Sequence, residues 1–401
     1  MAQANIPPPI FIARPAALQR LVEELQGEPI ITVDTESNSL YAYYERVCLI
    51  QFSTPTQDYL VDPLALEDLG ALGPIFASPK IEKVFHAAEY DLLCLKRDFQ
   101  FSFSRLFDTM IAARILGHEN LGLGAILEAN FGVQVDKRHQ RANWGQRPLP
   151  PKLMAYAQVD THYLIQVREQ LHGELLDKGL WPLAQEDFAR LERVNGGVPR
   201  QGSGQALRNG SGQALGDRDR SANGEANNDF WRISGAYDLN PAEAAVLCEL
   251  NGYREQVAQA LNLPVFKVIG DRTLVALAAQ RPRTADELSR APGMSVLQMK
   301  RHAKGLLRAI QRGVEAEPRY PPRYKRPDER YLRRLEALKN WRKATGQRMG
   351  VGSDVVLPRD LLYALAEQDP QDDSELRQVL VEVPWRLKNF GEEILRVLEK
   401  L

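Results

Sequence analysis

Two carboxylates stand one residue apart at the end of an apolar run. The stretch ITVDTESNSL, residues 31–40, follows Ile30 and sets Asp34 and Glu36 where a buried strand should be closing. On a strand, residues i and i+2 project to the same side, so both acids point together. Like charges held this close favour protonation unless a cation sits between them. A hard divalent ion suits that place, because Mg²⁺ takes carboxylate oxygens and keeps water positions open for a phosphate. The other reading of these two residues alone is a solvent-exposed Asp-x-Glu in a turn. More acids follow. VFHAAEYDLLCLKRDF carries His86, Glu89 and Asp91 where a strand-like run gives way to a helix. MAYAQVDTHYL carries Tyr156 and Asp160, four apart and therefore on one helical face. That pair fits a surface contact and equally fits a position overhanging a metal site.

The elements that must hold these residues are legible in the pattern. Strand-like runs occupy 30–36, 47–53, 58–62 and 83–86, and helical patterns follow at 88–98, 108–116, 121–130 and 151–176. A meander of strands followed by helices predicts an α/β or α+β domain, a mixed sheet flanked by helices. Asp108, in LFDTMIAARIL, stands where an Asp caps a helix N-terminus, with Thr109 beside it, and is read as a cap rather than a ligand.

At 401 residues the chain exceeds one ordinary domain. Its 44% apolar and 26% charged residues are those of a soluble globular protein. No apolar run approaches the ~20 residues of a membrane helix, and the N-terminus lacks the pattern of a secretory signal. Cys48, Cys94 and Cys248 are odd in number and far apart, which excludes a disulfide framework and a zinc pattern and points to a reducing cytoplasm. Net charge is −1 overall, but it is unevenly spread: residues 1–194 carry 18 Lys+Arg against 25 Asp+Glu, whereas residues 300–349 carry 16 against 5. One part could hold cations and another polyanions. Residues 195–230, rich in Gly, Asn, Ser and Gln, are expected to be a flexible linker. Behind it the chain repeats with an offset of 88: Leu250 pairs with Leu338, Arg254 with Arg342, Leu277 with Leu365, Pro282 with Pro370. Each copy reads as a bundle of short helices. Between the copies, residues 315–334 alternate Arg323, Lys325 and Arg326 with tyrosines and prolines. Such a basic, aromatic strap suits a nucleic-acid backbone with stackable bases; a solvated linker is the second reading.

The order D-x-E, H-x-x-x-x-D, Y-x-x-x-D over about 130 residues resembles the DEDD exonucleases of the tyrosine-bearing type, and the duplicated module resembles the HRDC domain. An exonuclease domain followed by tandem HRDC domains is the layout of the ribonuclease D family, and the resemblance covers nearly the whole chain. It implies a ribonuclease-H-like fold and a metal-dependent 3′→5′ exoribonuclease that releases nucleoside 5′-monophosphates and trims RNA, tRNA precursors among its substrates. Alternatives are a DNA exonuclease with a repair role and a non-catalytic RNA-binding scaffold. Carried over by motif, Asp34, Glu36, Asp91 and Asp160 become ligands of two divalent ions, Mg²⁺ or Mn²⁺, and Tyr156 orients the attacking water. Asp91 is taken over Glu89 on motif spacing. Leu40 matches an apolar wedge at the terminal base, and plain core is its other reading. His86 stands either near the phosphate or packed at a strand end. Trp144 and Arg147, on the loop before the third motif, are candidate contacts to the substrate strand, and packing inside the domain is at least an equal reading. The expected division is 1–194 exonuclease, 195–230 linker, 231–314 first HRDC-like domain, 315–330 basic connector and 331–401 second HRDC-like domain.

Overall fold

The computed structural model describes residues 6–193, 229–322 and 327–400. The linker expected at 195–230 lies outside the described residues as far as 228, as do Arg323, Lys325 and Arg326. The chain divides into two compact units. The first holds residues 6–38, 46–193 and 327–400, and the second holds 39–45 and 229–322.

The first unit is built on a six-stranded sheet of order β1-β4-β3-β2-β5-β6. Its strands are β1 (Ile10–Ile12), β2 (Ile30–Ser37), β3 (Val47–Ser53), β4 (Asp58–Val61), β5 (Glu82–Phe85) and β6 (Leu106–Asp108). β2, β3 and β4 form an antiparallel meander, β5 joins β2 in parallel and β6 joins β5 in parallel. This is the ribonuclease-H-like arrangement, with β1 added in parallel to the far edge of β4. Every residue of β3 is buried, as its near-continuous apolar run VCLIQFS requires of a strand covered on both faces. Around the sheet lie α1 (Pro15–Gly27), α2 (Gly73–Ala77), α3 (Glu89–Phe99), α4 (Thr109–Ile115), α5 (Leu123–Phe131), α6 (Pro151–His162), α7 (Leu164–Asp177) and α8 (Trp181–Glu192). The helix expected over 151–176 is two helices, broken at Tyr163. At the break the Thr161 carbonyl accepts from the Thr32 hydroxyl on β2 at 3.0 Å, and the Thr161 hydroxyl meets Ser53 at 2.8 Å. The sheet thus draws the end of α6 onto itself. Asp108 caps α4, accepting from Met110 N at 2.8 Å and Ile111 N at 3.0 Å.

Two helical repeats follow. The first has α9 (Pro241–Leu261), α10 (Val265–Val268), α11 (Asp271–Gln280), α12 (Ala285–Ser289) and α13 (Val296–Glu315). The second has α14 (Glu329–Met349), α15 (Ser353–Val356), α16 (Arg359–Gln368), α17 (Asp373–Val379) and α18 (Pro384–Leu398). Each helix of the second starts 88 residues after its counterpart, the offset read from the sequence. The compact units group these elements by contact. The second repeat shares the unit of the sheet, where Val355 packs in one apolar cluster with Phe107, Leu183 and Phe188. Residues 39–45 belong with the first repeat: Tyr44 N donates to Asn262 at 2.9 Å, and the Lys267 ammonium lies 4.1 Å over the Tyr41 ring. Among the described residues no helix is long and apolar enough to cross a membrane.

Candidate active site

β2 runs through the middle of the sheet, paired on both sides, with Ile31 and Val33 fully buried. That fixes the backbone that ends in Asp34, Thr35 and Glu36. α6 lies across β2 and β3, pinned by the Thr161 contacts, so Asp160 comes down beside the strand end. Oxygens of Asp34, Glu36 and Asp160 all lie within 4.8 Å of one another. Glu36 is buried, while Asp34 and Asp160 are half-buried. The first two acids come from one strand and the third from about 125 residues further on, so only folding could join them.

Asp91 is not in this group of three. It is buried in the first turn of α3, and its carboxylate accepts from the hydroxyl of Thr35, the residue between Asp34 and Glu36. Asp91 is thereby tied to the same strand end by a neighbouring side chain. Glu89 is exposed, so of the two acids near this motif it is Asp91 that turns inward.

Tyr156 sits one helical turn before Asp160 and is buried. Burial, and then the charges of Asp160, Glu36 and Asp34, push its phenol far above the ordinary tyrosine range. Its ring lies 5.5 Å from that of His139 and 6.1 Å from that of Trp144.

His86 follows β5, with Nδ1 2.9 Å from the Thr109 hydroxyl. The Thr109 hydroxyl also lies 3.1 Å from the Phe85 carbonyl. Desolvation holds the imidazole below its usual pKa. These contacts match the packed reading of His86. Leu40 is half-buried and belongs to the segment 39–45 of the second unit.

Trp144 and Arg147, each open to a packed or a substrate-facing reading, are placed as follows. Trp144 is 1% exposed, packed in an apolar cluster with Leu49, Leu149, Leu153 and Tyr156. An indole so enclosed has no face to offer a base. Arg147 is fully engaged inside the protein. It holds Asp62 through two bonds of 2.7 and 2.6 Å, and it donates to the carbonyls of Trp144, Gln146 and Cys48 at 2.9, 2.7 and 2.7 Å. Its planar fork anchors the loop before α6 to β3 and β4, which is a structural use of a guanidinium. Arg323, Lys325 and Arg326 lie outside the described residues.

The donor set fits a hard divalent cation. Around an ion with ~2.1 Å bonds, octahedral neighbours stand about 3 Å apart and opposite ligands about 4.2 Å apart. Three carboxylates within 4.8 Å can reach such spacings by small side-chain rotations. Sequence reasoning missed Thr35 and Thr161 as supports of this strand end. Both are small hydroxyls whose partners are distant in sequence.

Comparison with known proteins agrees with the geometry. The 3′-5′ exonuclease family matches residues 9–176, and the HRDC domain matches residues 243–310 and 332–398. Ribonuclease D of Nitrobacter hamburgensis is 27% identical over 395 residues, spanning 96% of this chain and 94% of that protein. The crystal structure of Escherichia coli RNase D, described as an exoribonuclease involved in structured RNA processing, superposes with a TM-score of 0.65 at 25% identity, covering 98% of this chain and 99% of that one. The catalytic core of RRP6 from Trypanosoma brucei superposes with a TM-score of 0.61 at 27% identity, covering 79% of this chain and 82% of that one. The chain belongs to the ribonuclease D family, 3′-5′ exoribonucleases in which a DEDD-type domain is followed by HRDC modules.

Proposed function

We propose that this chain trims the 3′ ends of structured RNA, tRNA precursors included, one nucleoside 5′-monophosphate at a time. The convergence of Asp34, Glu36 and Asp160 under Tyr156 carries this reading. In it, Asp34, Glu36 and Asp160 hold one divalent ion, and Asp91, steadied by Thr35, helps to hold a second. Ions so bound, Mg²⁺ or Mn²⁺, lower the pKa of a water and neutralise the leaving oxygen. Tyr156 donates its O–H to orient the attacking water. Its raised pKa removes it as a base at neutral pH. The water oxygen bonds to phosphorus, the P–O3′ bond breaks, the phosphate leaves on the 5′ side of the released nucleotide, and the shortened chain keeps a 3′-hydroxyl. The basic stretch 300–349, with Lys300, Arg301, Lys304 and Arg308 exposed along α13, suits a grip on the folded body of the RNA. Three free cysteines, two of them buried, fit a reducing cytoplasm.

The test is digestion of 3′- and 5′-labelled RNA, and of the same sequence as DNA, with and without Mg²⁺ or Mn²⁺. Wild type should release labelled mononucleotide from the 3′ end of RNA only when a divalent ion is present. Asp34→Asn should lose nearly all hydrolysis. Tyr156→Phe should bind ion and RNA but turn over ~10²-fold more slowly, the scale of a lost proton-handling or water-orienting group. An unimpaired Asp34→Asn enzyme would overturn the site. Preferential loss of DNA would instead assign the deoxy substrate, since a 2′-hydroxyl contact is what separates the two.

A further inference from the structure

Gln51 lies at the centre of β3, directly opposite Asp34 in the antiparallel β2–β3 ladder. Residues directly opposite in such a ladder have Cβ atoms about 4.5–5.5 Å apart on the same face of the sheet. The carboxamide of Gln51 is therefore on the face that carries Asp34 and Glu36. α6 brackets it from above. Tyr156 packs in one cluster with Leu49, two residues before Gln51, and Thr161 bonds to Ser53, two residues after it. Position 51 falls between these contacts, beneath the turn that leads to Asp160.

Gln51 is 0% exposed, and neither Oε1 nor Nε2 has a hydrogen-bond partner. Native interiors rarely leave one amide atom unsatisfied, let alone both. A packing role would be filled better by Met or Leu, which bring no polar atoms into a strand that is otherwise buried and mostly apolar. Both orphaned ends belong to a side chain set beside the acid triad, so the missing partners are those that arrive with the ion.

We propose that Gln51 is a positioning residue of the metal site. Its Nε2 donates to the Asp34 carboxylate when that carboxylate turns to a divalent ion, and its Oε1 accepts from a water of the ion's shell. Partners of this kind fix a ligand's orientation, and their loss commonly weakens metal affinity 10–100-fold. The inference rests on the proposed metal-dependent reading of the same residues.

The experiment is calorimetric titration of Mn²⁺ into metal-free full-length protein, paired with thermal unfolding in chelator. The variants are Gln51→Met, Gln51→Glu and Asp34→Asn. Gln51→Met should leave the melting temperature in chelator unchanged or higher, because it removes two unsatisfied polar atoms, yet weaken Mn²⁺ binding at least tenfold. Gln51→Glu keeps the shape and adds a charge beside Asp34. It should melt lower in chelator and gain more from Mn²⁺ than wild type does. Mn²⁺ affinity within twofold of wild type in Gln51→Met overturns the proposal. If that variant does not fold, a Gln51→Glu protein that gains no more from Mn²⁺ than wild type does so instead. Asp34→Asn separates the two levels: if it binds Mn²⁺ like wild type, the metal site itself is wrong, whereas if it fails to bind while Gln51→Met binds normally, only the role of Gln51 falls.

Discussion

Helices α13 and α18 hold the same place in the two repeats, but different atoms begin them. α13 starts itself: Ser295 and Gln298 form a capping box, each side chain satisfying the other's backbone N–H. Their counterparts 88 residues on are Val383 and Arg386, which cannot do this. α18 is capped instead from α8, where Glu186 accepts from Trp385 N at 2.7 Å and Arg386 N at 3.4 Å. Arg386, 0% exposed, returns the bond to Glu186 at 2.5 Å, to Asp187 at 2.9 Å and to the carbonyls of Val355 and Val356. Against the desolvation of its burial, Asp187 and Glu186 keep this guanidinium charged. One copy thus carries its own helix start, and the other has given it up for a docking site in its unit. The contrast extends to Arg254 and Arg342. Both donate to the same carbonyl position, Ile269 at 3.3 Å and Leu357 at 2.9 Å. Arg254 also holds Asp271 at 2.6 Å, whereas position 359, the counterpart of Asp271, is an arginine. Duplication preserved the backbone plan while the side chains that mark independence diverged.

The largest test of this contrast is Arg386→Met. Removing one partner of a buried ionic cluster leaves Glu186 and Asp187 uncompensated and should cost about 3–5 kcal/mol in denaturant unfolding. The counterpart change Gln298→Met, in the self-capped copy, should cost less than about 1 kcal/mol; similar losses in both would erase the distinction. Next in size is Gly313→Ala. A Cβ there would stand 2.4 Å from the Val246 backbone, so α9 and α13 would have to separate. Overpacking of about 1–3 kcal/mol should exceed the helix-propensity gain of about 1 kcal/mol, read as a lower melting temperature. The counterpart of Val246 is Arg334, whose side chain bonds to Asp369 at 3.0 Å and the Ala366 carbonyl at 2.8 Å. The smallest effect is expected from the caps. Ser295→Ala should lose about 1 kcal/mol, while Val383→Ser should gain almost nothing because Glu186 already fills that place. A clear gain from Val383→Ser would mean that the docked cap contributes little.

Much of this was legible wherever the information is local. The spacing of Asp34 and Glu36, the Asp108 cap and the 88-residue repeat are short-range patterns, fixed by strand alternation, by the geometry of a helix start and by shared register. For Trp144 and Arg147 the sequence left packing and substrate contact open for a definite reason. Residue type marks an aromatic and a guanidinium as able to contact nucleic acid, but only burial reveals that one is enclosed and the other spent on Asp62. The break at Tyr163 escaped the helical period because its cause, Thr32, lies 129 residues from Thr161.

By itself the sequence determined which carboxylates could share an ion, that each repeat is a bundle of short helices, and that the repeat occurs twice. Tertiary structure alone decided that Asp160 meets Asp34 and Glu36, that Asp91 is tied to the same strand end through Thr35, that Gln51 lies opposite Asp34, and that the second repeat docks where the first caps itself. The reason is physical: spacing along a chain sets which side chains share a face, but burial and long-range hydrogen bonds set what that face meets.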